Sequence, residues 1–136
     1  MPKITLVAIT ITILTLIQLM YFGALVGNAR GKYQIKAPAV TGNEMFERYY
    51  RVQLNSIEQI ILFLPALWIA NALAPVAYYW IALIGAVYLI GRMVYQISYV
   101  AEPSKRSFGF ALTSIPVLAL LVIDLIGLVR GWIAPG

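Results

Sequence analysis

Arg51, Asn55 and Glu58 are spaced four and three residues apart, and Glu44 and Arg48 continue the series toward the N-terminus. On a helix such positions share one face. Arg92, Tyr95, Gln96 and Tyr99 repeat the device at i, i+3, i+4 and i+7. The two stripes combine guanidinium, carboxylate, amide and phenol groups in a chain without a single Cys or His. Thiolate nucleophiles, imidazole bases, disulfides and the commonest zinc sites are therefore excluded. Any chemistry must then use Arg, Lys, Tyr, Glu, Asp, Ser or a borrowed group, and a ligand bearing both charge signs would offset the cost of these charges better than mutual pairing does. The planar guanidinium fork pairs bidentately with a carboxylate and keeps its charge when dehydrated.

These side chains have to be held by elements that belong in a membrane. The polar run ERYYRVQLNSIEQ passes directly into IILFLPALWIA, and 62% of the 136 residues are hydrophobic, with a mean hydropathy of +0.86. Apolar stretches of about twenty residues, the length that crosses the hydrocarbon core, occur at roughly 4–26, 45–73, 76–100 and 108–133. The connections between them carry the Gly, Pro and Asn that stop helices. The expected fold is an all-α integral membrane protein, one domain over 1–136, arranged as an up-down-up-down four-helix bundle. The first span exceeds the usual signal-peptide core and is expected to stay in the protein. Arg30, Lys32 and Lys36 in the first connection and Lys105 and Arg106 in the third share one side of such a bundle. The positive-inside rule puts those connections in the cytoplasm and both termini outside. The net charge of +5 is interleaved with hydrophobic spans, a pattern that argues against a nucleic-acid partner.

Each polar residue also has a plainer reading. Glu44 with Arg48 and Glu47 with Arg51 have the spacing of helical ion pairs, and Tyr49, Tyr50 and Tyr99 that of an interfacial aromatic belt. Trp68, Trp80 and Trp132 read as interface anchors, and Pro65 and Pro116 as tolerated mid-span kinks. Arg51, Glu58 and Arg92 resist this treatment. Glu58 lies about 21 Å of helix beyond Glu44, and a charge within the bilayer costs about 2.5–3.5 kcal/mol, so the three together represent roughly 8–10 kcal/mol. Asp124, with no cation one turn away, reads equally as a functional acid or as an inter-helix hydrogen-bonding group. No Gly-rich phosphate loop, metal spacing or nucleophile elbow is visible.

FERYYRVQLNSIEQ, together with NAR before a basic, proline-bearing loop, TGNEMFERYYR and VYLIGRMVYQISY, resembles the signature of the MAPEG proteins (membrane-associated proteins in eicosanoid and glutathione metabolism). The likeness runs from about residue 28 to 107 and is nearest the branch of leukotriene C synthase and the microsomal glutathione transferases. It implies a homotrimer of four-helix protomers that binds glutathione between adjacent subunits near the cytoplasmic face. A lipophilic electrophile or a lipid hydroperoxide would reach the site from the membrane lipid. Arg51, Asn55, Glu58 and Gln59 would bind the tripeptide from the second helix, Arg30 and Gln53 from across the subunit boundary, and Arg92, Tyr95 and Tyr99 from the third helix. Arg106 would activate the thiol. Gln59, beside Glu58, stands where the leukotriene synthase pattern has Tyr, and Gly31 stands where that pattern has a second Arg. Both departures separate the chain from leukotriene synthesis while leaving the core of the glutathione set in place.

The chemistry matches the residue types. Glutathione carries two carboxylates, an ammonium and its own thiol, so a chain lacking Cys and His need only ionise that thiol. An arginine does not deprotonate at accessible pH, so Arg106 would stabilise the thiolate electrostatically while the proton goes to water. The expected protein is a membrane-bound glutathione transferase, and the same thiolate would also serve a peroxidase. It requires no metal and would reside in a bacterial inner membrane or the endoplasmic reticulum with the site facing the cytoplasm. Two other readings stay open: a non-catalytic lipid-presenting member of the same fold, and a small four-span transporter built around Asp124.

Overall fold

The computed structural model describes residues 1–134; the last two positions of the expected 1–136 domain lie outside the described residues. Four helices, α1 (Lys3–Lys32), α2 (Glu44–Leu73), α3 (Tyr78–Ala101) and α4 (Ser107–Ile133), form an antiparallel sequence of spans, with a 3-10 turn at Pro103–Lys105 before α4. All four are long and apolar enough to cross a membrane, and the described residues contain no strand. The protein is an integral, multi-pass membrane protein.

The helix ends follow local chemistry. The Asn43 side chain accepts a hydrogen bond from the Phe46 N–H at 3.1 Å, and Glu44 and Glu47 occupy the first turn of α2, where carboxylates favour the helix dipole. Just before this cap Gly42 has φ +124°, a conformation that side-chain-bearing residues avoid. The α2 C-terminus closes on Ala74 in the left-handed region, and Pro75 then prevents continuation. Pro65 and Pro116 lie inside unbroken helices. The first connection is shorter than the expected loop. α1 runs on through Lys32, so Arg30 and Lys32 stand on a helix extending past the apolar stretch. Hydropathy marks only the greasy part of a helix, whereas NARGK contains good helix formers that propagate the last turns.

Ala8, Ile11, Phe63, Leu67, Ile81, Tyr88, Val117 and Leu120 form the main core, drawn from all four helices. The rings of Phe63 and Tyr88 stack within it. Small residues set the spacing: a Cβ on Gly91 would come 2.7 Å from the Leu112 carbonyl carbon, and one on Gly109 would come 2.5 Å from Tyr95 Cα. Lipid offers no hydrophobic drive for helices to associate, so close backbone approach at small residues supplies the van der Waals contact instead. This glycine seam carries the start of α4 against the end of α3.

Candidate functional site

The polar stripe of α2 divides into two parts with different partners. Arg48 pairs with Glu44 and donates to the Val100 and Ala101 carbonyls at 3.0 Å each. It thereby ties the start of α2 to the orphan carbonyls at the end of α3. Arg51 does not take the plainer pairing with Glu47 that its spacing also allows. Its Nη1 lies 3.7 Å from Glu58 Oε1, two turns along, with both side chains about half exposed. The long guanidinium reaches up the stripe toward a carboxylate with more need of a partner than the one in the first turn, which already has the helix N-terminus.

Behind that exposed pair lies a buried chain of hydrogen bonds. Asn55 Nδ2 donates to Glu58 Oε2 at 3.2 Å, while Asn55 Oδ1 accepts from Arg92 Nη1 at 2.9 Å. Arg92 Nη2 donates to Ser56 Oγ at 2.7 Å, and the same hydroxyl donates to the Val52 carbonyl at 2.7 Å. The Arg92 guanidinium also sits 4.3 Å over the Tyr95 ring, which stacks on Tyr99 at 5.5 Å. Arg92 is 1% exposed and lines none of the polar hollows. Within the protomer it is a buried strut that orients Asn55 and Tyr95. Its partner Ser56 carried no signal in the sequence, because a lone serine in a greasy helix reads as neutral.

A hollow of about 430 Å³ opens in front of these groups, lined by Arg51, Asn55, Tyr95, Tyr99, Arg106, Ser107 and Phe110. That volume falls within the roughly 300–1,000 Å³ of small-molecule sites. A second hollow of about 460 Å³ shares Arg51 and Tyr99 with it and continues past Leu54 to Val40. Arg106 reaches the first hollow from the cap position of α4. The turn before it is shaped by Glu102, which accepts from Ser104 Oγ at 2.8 Å and pairs with Lys105 at 3.3 Å. The Ser104 hydroxyl first, and Lys105 second, hold the Glu102 carboxyl below its ordinary value. Ser107 and Phe110 were not anticipated, although Phe110 lies one turn beyond Arg106 and so shares its face.

The other expected residues lie elsewhere on the protomer. Arg30 donates to the Ala39 carbonyl at 2.7 Å and the Ile35 carbonyl at 3.3 Å, with its guanidinium 4.8 Å over Phe46. Gln53 turns toward α1, its Nε2 3.0 Å from where a Cβ on Gly23 would stand. Gln59 is half-buried and lines neither polar hollow. Neither Arg30 nor Gln53 shares the hollow that holds Arg106. Asp124 is buried, and both of its carboxylate oxygens lack a hydrogen-bond partner among the described residues, so of its two readings the inter-helix hydrogen bond is not made there. No group of three or more His, Cys, Asp or Glu suited to a metal occurs among the described residues.

The MAPEG family model matches residues 8–126. Human microsomal glutathione S-transferase 2 is 39% identical over 113 residues, covering 83% of this chain and 75% of the relative. Guinea pig (Cavia porcellus) leukotriene C4 synthase is 33% identical over 119 residues, covering 88% and 78% respectively. An uncharacterized Synechocystis protein is 45% identical over 97 residues, covering 71% and 69%. With a family match over nearly its whole length and a four-span bundle to go with it, this chain belongs to the MAPEG family.

Proposed function

We propose that the protein is a membrane-bound glutathione transferase that holds the glutathione thiol as a thiolate for attack on lipophilic electrophiles. The observation that carries this reading is the convergence of Arg106, Arg51, Asn55, Tyr95 and Tyr99 on one hollow, with Glu58 alongside Arg51. Arg51 supplies the partner for a carboxylate and Glu58 for the ammonium, while Asn55 and the two phenols meet the peptide groups. The similar microsomal glutathione S-transferase 2 of human, named for glutathione, supports the ligand class. Arg30 and Gln53, on a different face of the protomer, join the site from a neighbouring copy in a homotrimer.

Arg106 acts by charge alone. Its guanidinium lowers the free energy of the thiolate, the thiol proton passes to water, and the sulfur attacks the electrophilic carbon to form a thioether. The attack either displaces a leaving group with its bonding pair or pushes the pair of an opened epoxide or activated alkene onto oxygen or carbon, which then takes a proton from water. A thiol of ordinary pKa near 8.5 is about 3% ionised at pH 7, and a depression of roughly two units brings that to about three quarters. The more stable thiolate is also the weaker nucleophile, roughly tenfold so for that shift. The Arg106→Ala variant therefore changes the shape of the pH profile as well as the rate.

Adding glutathione to the detergent-purified protein at neutral pH should produce the ultraviolet absorbance of a thiolate, saturable in glutathione and absent from Arg106→Ala. Glutathione affinity in that variant should stay within a few-fold. Glutathione that binds without a thiolate band, or a band that survives in Arg106→Ala, would overturn the mechanism. An absence of glutathione binding altogether would overturn the ligand.

A further inference from the structure

On the face opposite to that chemistry's loop, α1 and α3 leave a long trough open to the membrane. Two hollows, of about 300 Å³ and 360 Å³, share Leu14 and Leu89 and so run end to end between the helices. The trough exists because α3 presents alanine at 82 and 86 there. Behind them, Gly85 lets the helices close, since a Cβ at that position would lie 2.7 Å from Ile11 Cγ1. Along α1 the trough extends from Leu6 to Gln18, twelve residues or about 18 Å of helix. One leaflet of hydrocarbon is about 15 Å deep. The Gln18 amide, which would otherwise interrupt an apolar wall, donates to the Leu89 carbonyl at 2.9 Å.

The outer end of the trough has a cation. Lys3 precedes Leu6 and Val7 by about one turn, and Tyr78 precedes Ala82 by one turn, so both continue the trough's own faces. Lys3 Nζ sits 5.4 Å from the centroid of the Tyr78 ring. It makes no ion pair with a carboxylate among the described residues. Beside it, Tyr79 and Trp80 are exposed, and exposed aromatic side chains of this type mark headgroup depth. Among the described residues the other basic side chain at this end of the bundle is Arg130. A free ammonium at headgroup depth, above an apolar trough that runs about 18 Å along α1 and about 22 Å along α3 from Ala82 to Ile97, has the charge and length of an anionic lipid in reverse.

We propose that this trough is a docking site for an anionic phospholipid. One acyl chain lies along Leu14 and Leu89 and packs over Ala82 and Ala86, and the phosphate pairs with Lys3. The Tyr78 ring steers the ammonium by holding it above its face. The site is independent of the glutathione reading, because it shares no residue with the hollow that contains Arg106.

The test is native mass spectrometry of the detergent-purified protein incubated with phosphatidylglycerol or with phosphatidylcholine of identical chains. The wild-type protein should retain phosphatidylglycerol in about fivefold excess, the effect of one lysine at a charged lipid surface. Lys3→Gln should reduce that retention to the phosphatidylcholine level, and Ala86→Leu, which fills the trough from an exposed position, should reduce both lipids. Neither variant should lower the thermal unfolding midpoint of the detergent-solubilised protein, a readout that certifies folding whatever becomes of the glutathione reading. Equal retention of the two lipids by the wild-type protein, or an undiminished preference in Lys3→Gln, overturns the proposal. So does a change in the number of chains per particle in Ala86→Leu, because a second copy of the protein would then be what covers the trough.

Discussion

Deleting one oxygen from the buried network should harm the protein at least as much as deleting the whole Arg92 guanidinium. Ser56 Oγ is one of two acceptors for Arg92, at 2.7 Å, the other being Asn55 Oδ1 at 2.9 Å. In Ser56→Ala the charge stays buried, the Arg92 side chain being 1% exposed, and Nη2 loses its partner, a loss of about 1.5–3 kcal/mol for a hydrogen bond to a charged group. Arg92→Met removes both bonds, about 3–6 kcal/mol, but it also removes a charge whose presence in the membrane costs about 2.5–3.5 kcal/mol. The net loss is then about 0–3 kcal/mol, and the Nε of Arg92, already without an acceptor, pushes it toward the lower end. At about 3 °C per kcal/mol for a chain of this size, Ser56→Ala should lower the midpoint of thermal unfolding by roughly 5–10 °C. Tryptophan fluorescence of the detergent-solubilised variants, followed during heating, measures both shifts. If Arg92→Met fell twice as far as Ser56→Ala, the treatment of Arg92 as a charge held at a cost would be wrong. If Arg92→Met kept its midpoint yet lost glutathione binding, the arginine would be contacting the ligand rather than orienting Asn55.

Further expectations concern the join between α3 and α4. Gly109→Ala places a methyl group 2.5 Å from Tyr95 Cα, so α4 must move out. Overpacking of this kind costs about 1–3 kcal/mol, and the thiolate absorbance should fall as Arg106 shifts, whereas Gly27→Ala, with nothing within 4 Å, should leave both stability and absorbance intact. The Glu102 carboxyl is held below its ordinary value of 4.5 by Ser104 and then Lys105. A lowered carboxyl pKa means that the ordering it gives the turn is fully present above 4.5 and is lost as pH falls through the lower, folded value. The amide protection factors of Lys105 and Arg106, which are exchange rates corrected for the intrinsic slowing of exchange in acid, should therefore fall on acidification through that window in the wild-type protein but not in Glu102→Gln, and identical behaviour of the two would remove Glu102 from this role.

The four spans were legible because a bilayer imposes a length and a composition that a helix cannot disguise, and the α2 stripe because helical spacing needs no tertiary information. Arg51, Asn55, Tyr95, Tyr99 and Arg106 do line one hollow of the protomer. What escaped depends on which helix faces which. Ser56 becomes meaningful only once Arg92 of α3 is beside it, and the burial of Arg92 follows from packing that spacing does not encode. The local i, i+4 rule suited Glu44 and Arg48, where nothing competes. It failed for Arg51, which found Glu58 two turns away. The helical overhang that carries Arg30 was hidden for the opposite reason: its residues are too polar to register as a span, yet Ala29, Arg30 and Lys32 among them are good helix formers.

The length of α2 has a consequence for how two incompatible reactants meet. Thirty residues of helix measure about 45 Å, some 15 Å more than the hydrocarbon core is thick. About ten residues of α2 must therefore stand in the headgroup zone, and the tyrosines and charges between Glu44 and Gln53 are dressed for that depth. Asn55 and the buried strut behind it fall at the boundary, where water-soluble and fat-soluble molecules have their only common ground. A polar thiol descending from one phase and an oily partner sliding in from the other would each travel through a familiar medium until the last few ångströms. Their adduct, with a polar head and a greasy tail, would be left lying across the same frontier.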